Sequence, residues 1–468
     1  MLLRLQLCVL GCALLVLTGC EHYVARPLQC DLVVLSVEHD RRLLSAHSSE
    51  LAAFDAFPKV EPVEFSFNRA VELMKTHSPA LKEARAAYDK AQALAEIKTP
   101  LPNPAFEVGP NYGYGADTGR LYRFQPFGVL GFAIPTGQRL KRQDELNCAM
   151  AGMAWVEIQA KHRELYLELR KNYTRLAVGV QRIERRRQLA ESAGKSAALT
   201  QKQIAAGLAL ALDAGLIELE QYKLEADAST AELELSNVRG DLAQTIGVHA
   251  EHFDKLPAAP LPALLVAPPA LPELQKMLVD NHPELARLRA KYEIAERQLH
   301  LEIARQYPDF KIGPSYDHER GERITTLGLR LGIDLPAFDK NQQAIATAKE
   351  ARDEVRTQYE AAANRALAGL DRAYFNCKVV SGKLKLYKDK LVPRVEANLG
   401  LAEKAVKAGE AVSLKILEAE RSQRAVLLDA LDTELLLRGA WSDLEQAVGM
   451  PLISFPTEAA SGAPALTR

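Results

Sequence analysis

The 468-residue sequence is long enough for two or three domains of ordinary size and for a large buried core. Its 59 Lys and Arg stand against 60 Asp and Glu, so no field of one sign exists, which argues against nucleic acid as a partner. Aromatics are only 6% while Ala, Leu, Glu, Lys, Arg and Gln dominate, the composition of long helices with charge-laced faces, and the chain is expected to be mainly α.

Residues 1–19 read as a secretory leader. Arg4 is followed by an apolar run from Leu5 to Leu17, too short for a membrane-spanning helix of about 20 residues. It ends in Leu17-Thr18-Gly19-Cys20, where small residues precede a cysteine as a cleavage enzyme requires. This segment resembles the lipobox of bacterial lipoproteins, which implies cleavage before Cys20, lipidation of its thiol and, with Glu21 next in line, sorting to the outer membrane. Residues 20–66 are then a lipid-anchored N-terminal segment, and each acyl methylene buried adds about 0.8 kcal/mol of membrane affinity.

Beyond it the sequence repeats itself. Pro79, Leu81, Arg85, Ala86 and Tyr88 match Pro283, Leu285, Arg289, Ala290 and Tyr292 at a constant offset, which also carries the segment 104–112 onto 308–316. Ala206-Gly207 matches Ala408-Gly409 after a small shift, and the segment 241–247 matches 443–449. The first repeat is placed at 67–248 and the second at 271–450. Between them, 249–270 is a linker punctuated by Pro257, Pro260, Pro262, Pro268 and Pro269, through which neither helix nor sheet can continue. Residues 451–468 read as a flexible tail.

Within each repeat the periodicity changes from helix to strand and back, a duplicated helix-strand-strand-helix-helix unit whose strands run over about 105–134 and about 309–335. Phe106, Val108, Pro110, Tyr112 and Tyr114 alternate with Glu107, Gly109, Asn111, Gly113 and Gly115. Phe310, Ile312, Pro314 and Tyr316 alternate with Lys311, Gly313, Ser315 and Asp317, and Leu327, Leu329, Leu331, Ile333 and Leu335 with Gly328, Arg330, Gly332 and Asp334. Apolar-out, polar-in alternation is how transmembrane barrel strands read, and a soluble half-buried sheet alternates identically. Two hairpins supply too few strands to close a barrel, so several copies must pool theirs.

A helical hairpin follows in each repeat, over about 138–248 and about 338–450. Proline-free sequence from Gly137 to Leu256 allows one helix from near Gln138 to about Gly207, on the order of 100 Å at 1.5 Å per residue. Leu169, Leu176, Ile183 and Ala190 mark its seam, and Ala366, Leu370, Ala373, Cys377, Val380, Leu384, Tyr387 and Leu391 a stronger coiled-coil seam in the second repeat. Gly207 and Gly409 are the expected tips of the two hairpins.

No Gly-rich phosphate loop and no nucleophile elbow is present, so no enzyme and no cofactor is expected. His249 and His252 lack neighbouring carboxylates in a chelating pattern, and no metal site is expected. Cys377 on the seam reads as a small buried residue, and a Cys30–Cys148 disulfide is a pairing that sequence leaves open.

In this order and spacing, the duplication, Pro102-Asn103-Pro104 before the first strand, Ile134-Pro135-Thr136-Gly137-Gln138-Arg139 after the second and the Ala-Gly tips resemble the TolC-like outer-membrane efflux family, in its lipoprotein branch. The resemblance implies a homotrimer whose 12-stranded β-barrel continues into a long α-helical periplasmic tunnel, docked to a periplasmic adaptor protein and an inner-membrane pump. It implies a passive exit duct for small solutes, metal ions or drugs; a type I protein-secretion duct and a pore-less coiled-coil lipoprotein scaffold are the alternatives.

In the family, the helix after the second tip narrows the pore with two acidic residues three apart. These positions map to Lys415 and Glu418, with Glu410 at the tip and Asp213 the first-repeat counterpart of Lys415. Only Glu418 keeps the carboxylate, and an i,i+3 pair with Lys415 can neutralise it.

Overall fold

A computed structural model of the chain describes residues 25, 28–50, 66–111, 125–205, 211–249, 267–319, 324–407 and 413–453. The chain divides into two compact units, Met1–Phe57 and Pro58–Arg468. The first unit holds helix α1, Cys30–Glu50, in which Glu38 pairs with Arg42 at 3.0 Å and Leu32, Val34 and Leu35 are exposed.

The second unit carries the duplication. Each repeat begins with a helical corner, α2 (Phe67–His77) and α3 (Pro79–Glu96) in the first, α6 (Leu271–Asn281) and α7 (Pro283–Ala304) in the second. The second helix of each corner starts on a proline, whose missing N–H is an orphan at that position in any helix. Ser66 caps α2 by accepting the Arg69 N–H.

The corners turn into strands β1 (Ala105–Asn111) and β2 (Gln125–Ile134), then β3 (Phe310–Glu319) and β4 (Ile324–Ile333). They form one antiparallel sheet in the order β1-β2-β3-β4, so the hairpins of the two repeats are joined edge to edge through β2 and β3.

Two long helices return from the first hairpin, α4 (Arg139–Ala205) and α5 (Ala211–Ile246). At 67 residues α4 is the uninterrupted rod expected from the proline-free sequence, about 100 Å long. The second repeat differs. Helix α8 (Gln342–Leu386) passes through a π turn at Tyr387–Leu391 before α9 (Val392–Lys407), and α10 (Ser413–Val448) returns. Pro393 accounts for the break: it lacks an N–H and its ring crowds the carbonyl four residues back, and just before it the Val392 N–H reaches the Tyr387 carbonyl.

Helices α5 and α10 end in Gly247 (φ 88°) and Gly449 (φ 83°), left-handed positions that favour glycine. A Cβ at Gly247 would meet the His77 carbonyl at 2.9 Å, and one at Gly449 the Asn281 carbonyl at 2.7 Å. Each long hairpin therefore closes onto the corner of its own repeat through the same glycine.

The seam read from the sequence is the core of the second repeat. Leu370, Cys377 and Leu384 are buried among Leu274, Leu278, Leu437, Trp441 and Leu444, each large aliphatic side chain contributing about 1.5–3 kcal/mol by leaving water. Leu169, Leu176 and Ile183 are buried likewise in the first. The tail starts later than residue 451, because Leu452 and Ile453 are fixed to the end of α10 by backbone N–H groups donating to Glu445 Oε1 at 2.9 and 3.1 Å.

Candidate functional site: a wall with two open edges

Among the described residues the register of the sheet puts the alternating apolar strand positions on one face, Tyr112 and Tyr114 lying outside those residues. Phe106 lies opposite Leu130, and Val108 opposite Gly128. Ile134 lies opposite Phe310, and Phe132 opposite Ile312. Ile312, Pro314 and Tyr316 lie opposite Leu331, Leu329 and Leu327. Phe106, Val108, Leu327, Leu329 and Leu331 are 65–79% exposed on that face, a patch that water does not tolerate at this density and that hydrocarbon does.

The other face carries Glu107, Lys311, Ser315, Asp317, Thr326 and Arg330. Its charges are matched, Lys311 to Asp334 at 2.8 Å and Arg330 to Asp317 at 3.6 Å. Phe127 also lies on this face, its ring over Gly109, where a Cβ would meet it at 2.8 Å. A Cβ on Gly313 would overlap the Leu130 carbonyl, so the approach of β2 to β3 that joins the repeats requires glycine there.

The helices continue the same order. Next to the strands α3 packs on α4, α4 on α7 and α7 on α8; toward the tips α5 packs on α4, α4 on α10, and α10 on α8 and α9. Helix α4 is interior to this wall and buries two opposed stripes, Leu165, Leu169, Leu176 and Ile183 on one side and Ala160, Leu167 and Val178 on the other. The edge helices bury one stripe each and expose a second: Leu219, Tyr222 and Leu233 on α5, Phe375, Val379 and Leu386 on α8.

Between the two hairpins the joint inside the chain is ionic. Arg170 of α4 meets Glu445 of α10 at 2.8 Å with both side chains buried, Lys171 meets Asp443 at 2.8 Å, and Arg182 bridges Glu234 and Asp432 at 2.6 and 2.8 Å. Burial pushes the Glu445 carboxyl above the ordinary glutamate range against the pull of Arg170 and the two backbone N–H groups. At the corner between strands and helices, Thr136 Oγ1 donates to the Pro308 carbonyl and Arg139 pairs with Asp309 at 2.9 Å.

Of the residues singled out for the entrance, Glu418 is exposed on the second turn of α10. Asp213 and Lys415 each occupy the third position of their helices, α5 and α10, the counterpart relation read from the sequence; their side chains, Glu410, Gly207, Gly409 and the lipidation candidate Cys20 lie outside the described residues. Cys30 and Cys148 are exposed free thiols rather than a disulfide, and burial pushes the Cys377 thiol up to about 11. Among the described residues no three His, Cys, Asp or Glu side chains converge on a metal position, and no helix is long and apolar enough to cross a membrane. The ionic joint and the exposed second stripes escaped the sequence reading; the stripes alone left a signal there, apolar residues at helical spacing on the side of α8 opposite its seam.

A four-stranded sheet with one apolar side, continued by long helices in the same lateral order, is a fold shared with solved outer-membrane channels. Residues 274–450 match the Outer membrane efflux protein family. The chain is 24% identical over 300 residues to the cobalt-zinc-cadmium resistance protein CzcC of Cupriavidus metallidurans, which covers 62% of this chain and 69% of that protein. Its fold is that of the outer-membrane channel OprN (TM-score 0.67, 19% identity, 84% of this chain and 94% of that one) and of the outer-membrane protein VceC from Vibrio cholerae (TM-score 0.65, 18% identity, 83% and 97%).

Proposed function

We propose that three copies of this chain, each lipid-anchored through Cys20, close into one duct that passes small solutes, metal ions or drugs, from a periplasmic adaptor and an inner-membrane pump to the exterior. The observation that carries this reading is the pair of open edges. Among the described residues strands β1 and β4 each have one side unpaired within the chain, beside an apolar face, and an edge in hydrocarbon leaves a row of peptide groups unsatisfied at several kcal/mol each. Joining β4 of each copy to β1 of the next removes every edge, and three sheets of four give 12 strands, within the range of membrane barrels.

The same closure places the exposed stripe of α8 on one copy beside that of α5 on the next, Phe375, Val379 and Leu386 against Leu219, Tyr222 and Leu233. The ring then alternates ionic joints within chains with apolar joints between them.

Conduction rather than catalysis follows, with selectivity set where the bore is narrowest. Toward the tips Asp213, Glu410, Lys415 and Glu418 recur three times around the axis, and of these Glu418 supplies a ring of carboxylates that attracts cations. The cobalt-zinc-cadmium resistance relative favours metal cations among the possible cargoes.

Reconstitution into planar bilayers tests the reading: cation-selective steps that weaken in Glu418→Ala are expected. Absence of conductance from lipidated, folded protein would leave the pore-less scaffold standing, and unchanged selectivity would return Glu418 to a solvated helix face.

A further inference from the structure

The internal duplication predicts more than closure, because it shows which side chains lack a partner inside one chain. At the constant offset of 204 set by Pro79 and Pro283, Ile97 at the end of α3 is the counterpart of Leu301 on α7. Leu301 is 2% exposed and Ile97 69% exposed. The difference has a local cause: α7 is packed between the long helices α4 and α8, whereas among the described residues α4 is the one long helix packed on α3.

What covers this end of α7 is the corner by which the first repeat leaves the sheet. Gly137 lies so close to the Ala304 carbonyl and the Tyr307 ring that a Cβ would meet each at 2.7 Å, and the Thr136 hydroxyl and Arg139 reach Pro308 and Asp309. The corresponding corner of the second repeat ends in Asn341, at φ 60°, as the first ends in Gln138, at φ 59°, each one residue before its long helix. Its inner side is held to α7 of its own repeat, the Asn341 side-chain amide donating to the Glu302 carbonyl and Oε2 at 2.9 and 2.8 Å, but among the described residues no further helix end covers its outer side. Leu335 is 76% and Phe338 96% exposed.

The chemistry of the two corners differs as well. Arg139 and Asp309 fasten the first with an ion pair, while the position matching Asp309 is Ala105, which cannot form one. In its place stand two large apolar side chains on the corner, Leu335 and Phe338, and two on the surface it lacks, Ile97 and Leu101, the last 65% exposed.

We infer that Phe338 is an assembly knob, which seats on Ile97 and Leu101 of the next copy and there makes the corner that Thr136, Gly137 and Arg139 make within one chain. The inference rests on the ring of copies proposed above. It commits to a second copy of this chain as the occupant, because the covering element already exists once inside the chain against the duplicate of the same surface.

The experiment uses the full-length lipoprotein in detergent, with Cys30 and Cys148 changed to Ser and Cys20 kept. Phe338→Cys and Leu101→Cys are introduced together and treated with a short bismaleimide. The expected result is covalent dimers and trimers in denaturing gels, and loss of these bands when either cysteine is present alone. Native mass of the same sample distinguishes the two readings. A trimer in which the pair does not link overturns the knob while the ring stands, and a monomer overturns the ring. A second variant, Phe338→Ser, is expected to lower the temperature at which the native trimer dissociates; an unchanged temperature contradicts the inference.

Discussion

Arg170 Nε and Glu445 Oε2 lie 2.8 Å apart, 5% and 3% exposed, across 275 residues of sequence, and the same glutamate holds the N–H groups of Leu452 and Ile453. Arg170 also donates to the Ile453 carbonyl. One carboxylate thus ties the long helix of the first repeat to the last helix of the second. Removing it alone leaves the buried Arg170 guanidinium without its carboxylate, so Glu445→Ala is expected to destabilise the fold by about 3–5 kcal/mol, whereas Arg170→Met with Glu445→Gln, which keeps the acceptor for the Leu452 and Ile453 N–H groups, recovers most of the loss. Chemical denaturation of the two variants checks this; equal losses for the single and double changes would contradict it.

The same joint carries a pH dependence with a definite sign. Burial raises the Glu445 carboxyl above the ordinary value of 4.5, so the native chain holds that proton to higher pH than the unfolded chain does. Its contribution is therefore greatest below about pH 4.5, declines as pH rises through the raised native value, and is flat above it. Amide exchange at Leu452 and Ile453, corrected for intrinsic rates, should slow on the acid side. Glu445→Gln, which keeps the Oε1 acceptor, should flatten the profile.

Two faces of one sheet make opposite demands. Leu329→Arg places a charge on the apolar face and should cost about 2–4 kcal/mol if the residue lies near the bilayer midplane. Thr326→Lys, on the polar face beside Asp317, should leave assembly intact and shift ion selectivity toward anions. Heat-resistant migration in gels and bilayer reversal potentials measure the two effects.

Gly313→Ala should separate β2 from β3, because the new methyl overlaps the Leu130 carbonyl. Secondary structure in the helices should persist while the heat-resistant species disappears. An alanine variant that assembles normally would show that the repeats are not joined there as described.

Much of this is legible in the amino-acid sequence. The duplication, the strand faces from Phe106 to Leu331 and the buried seam from Ala366 to Leu384 follow from periodicity alone, since side chains recur every second residue on a strand face and about every 3.5 on a helix seam. What escaped is non-local or locally exceptional. Arg170 and Glu445 carry no pattern that pairs them across the chain. Phe127 on the polar face contradicts simple alternation and is explained only by the glycine opposite it. The π turn at Tyr387–Leu391 interrupts a seam whose heptads continue in sequence, and Pro393 is its one local sign.

Whether one chain is a third of a closed wall is read from the mass of the detergent-extracted protein under native conditions. Three chains per particle is the predicted result. A particle of one chain, stable and folded with β1 and β4 still unpaired, would contradict it.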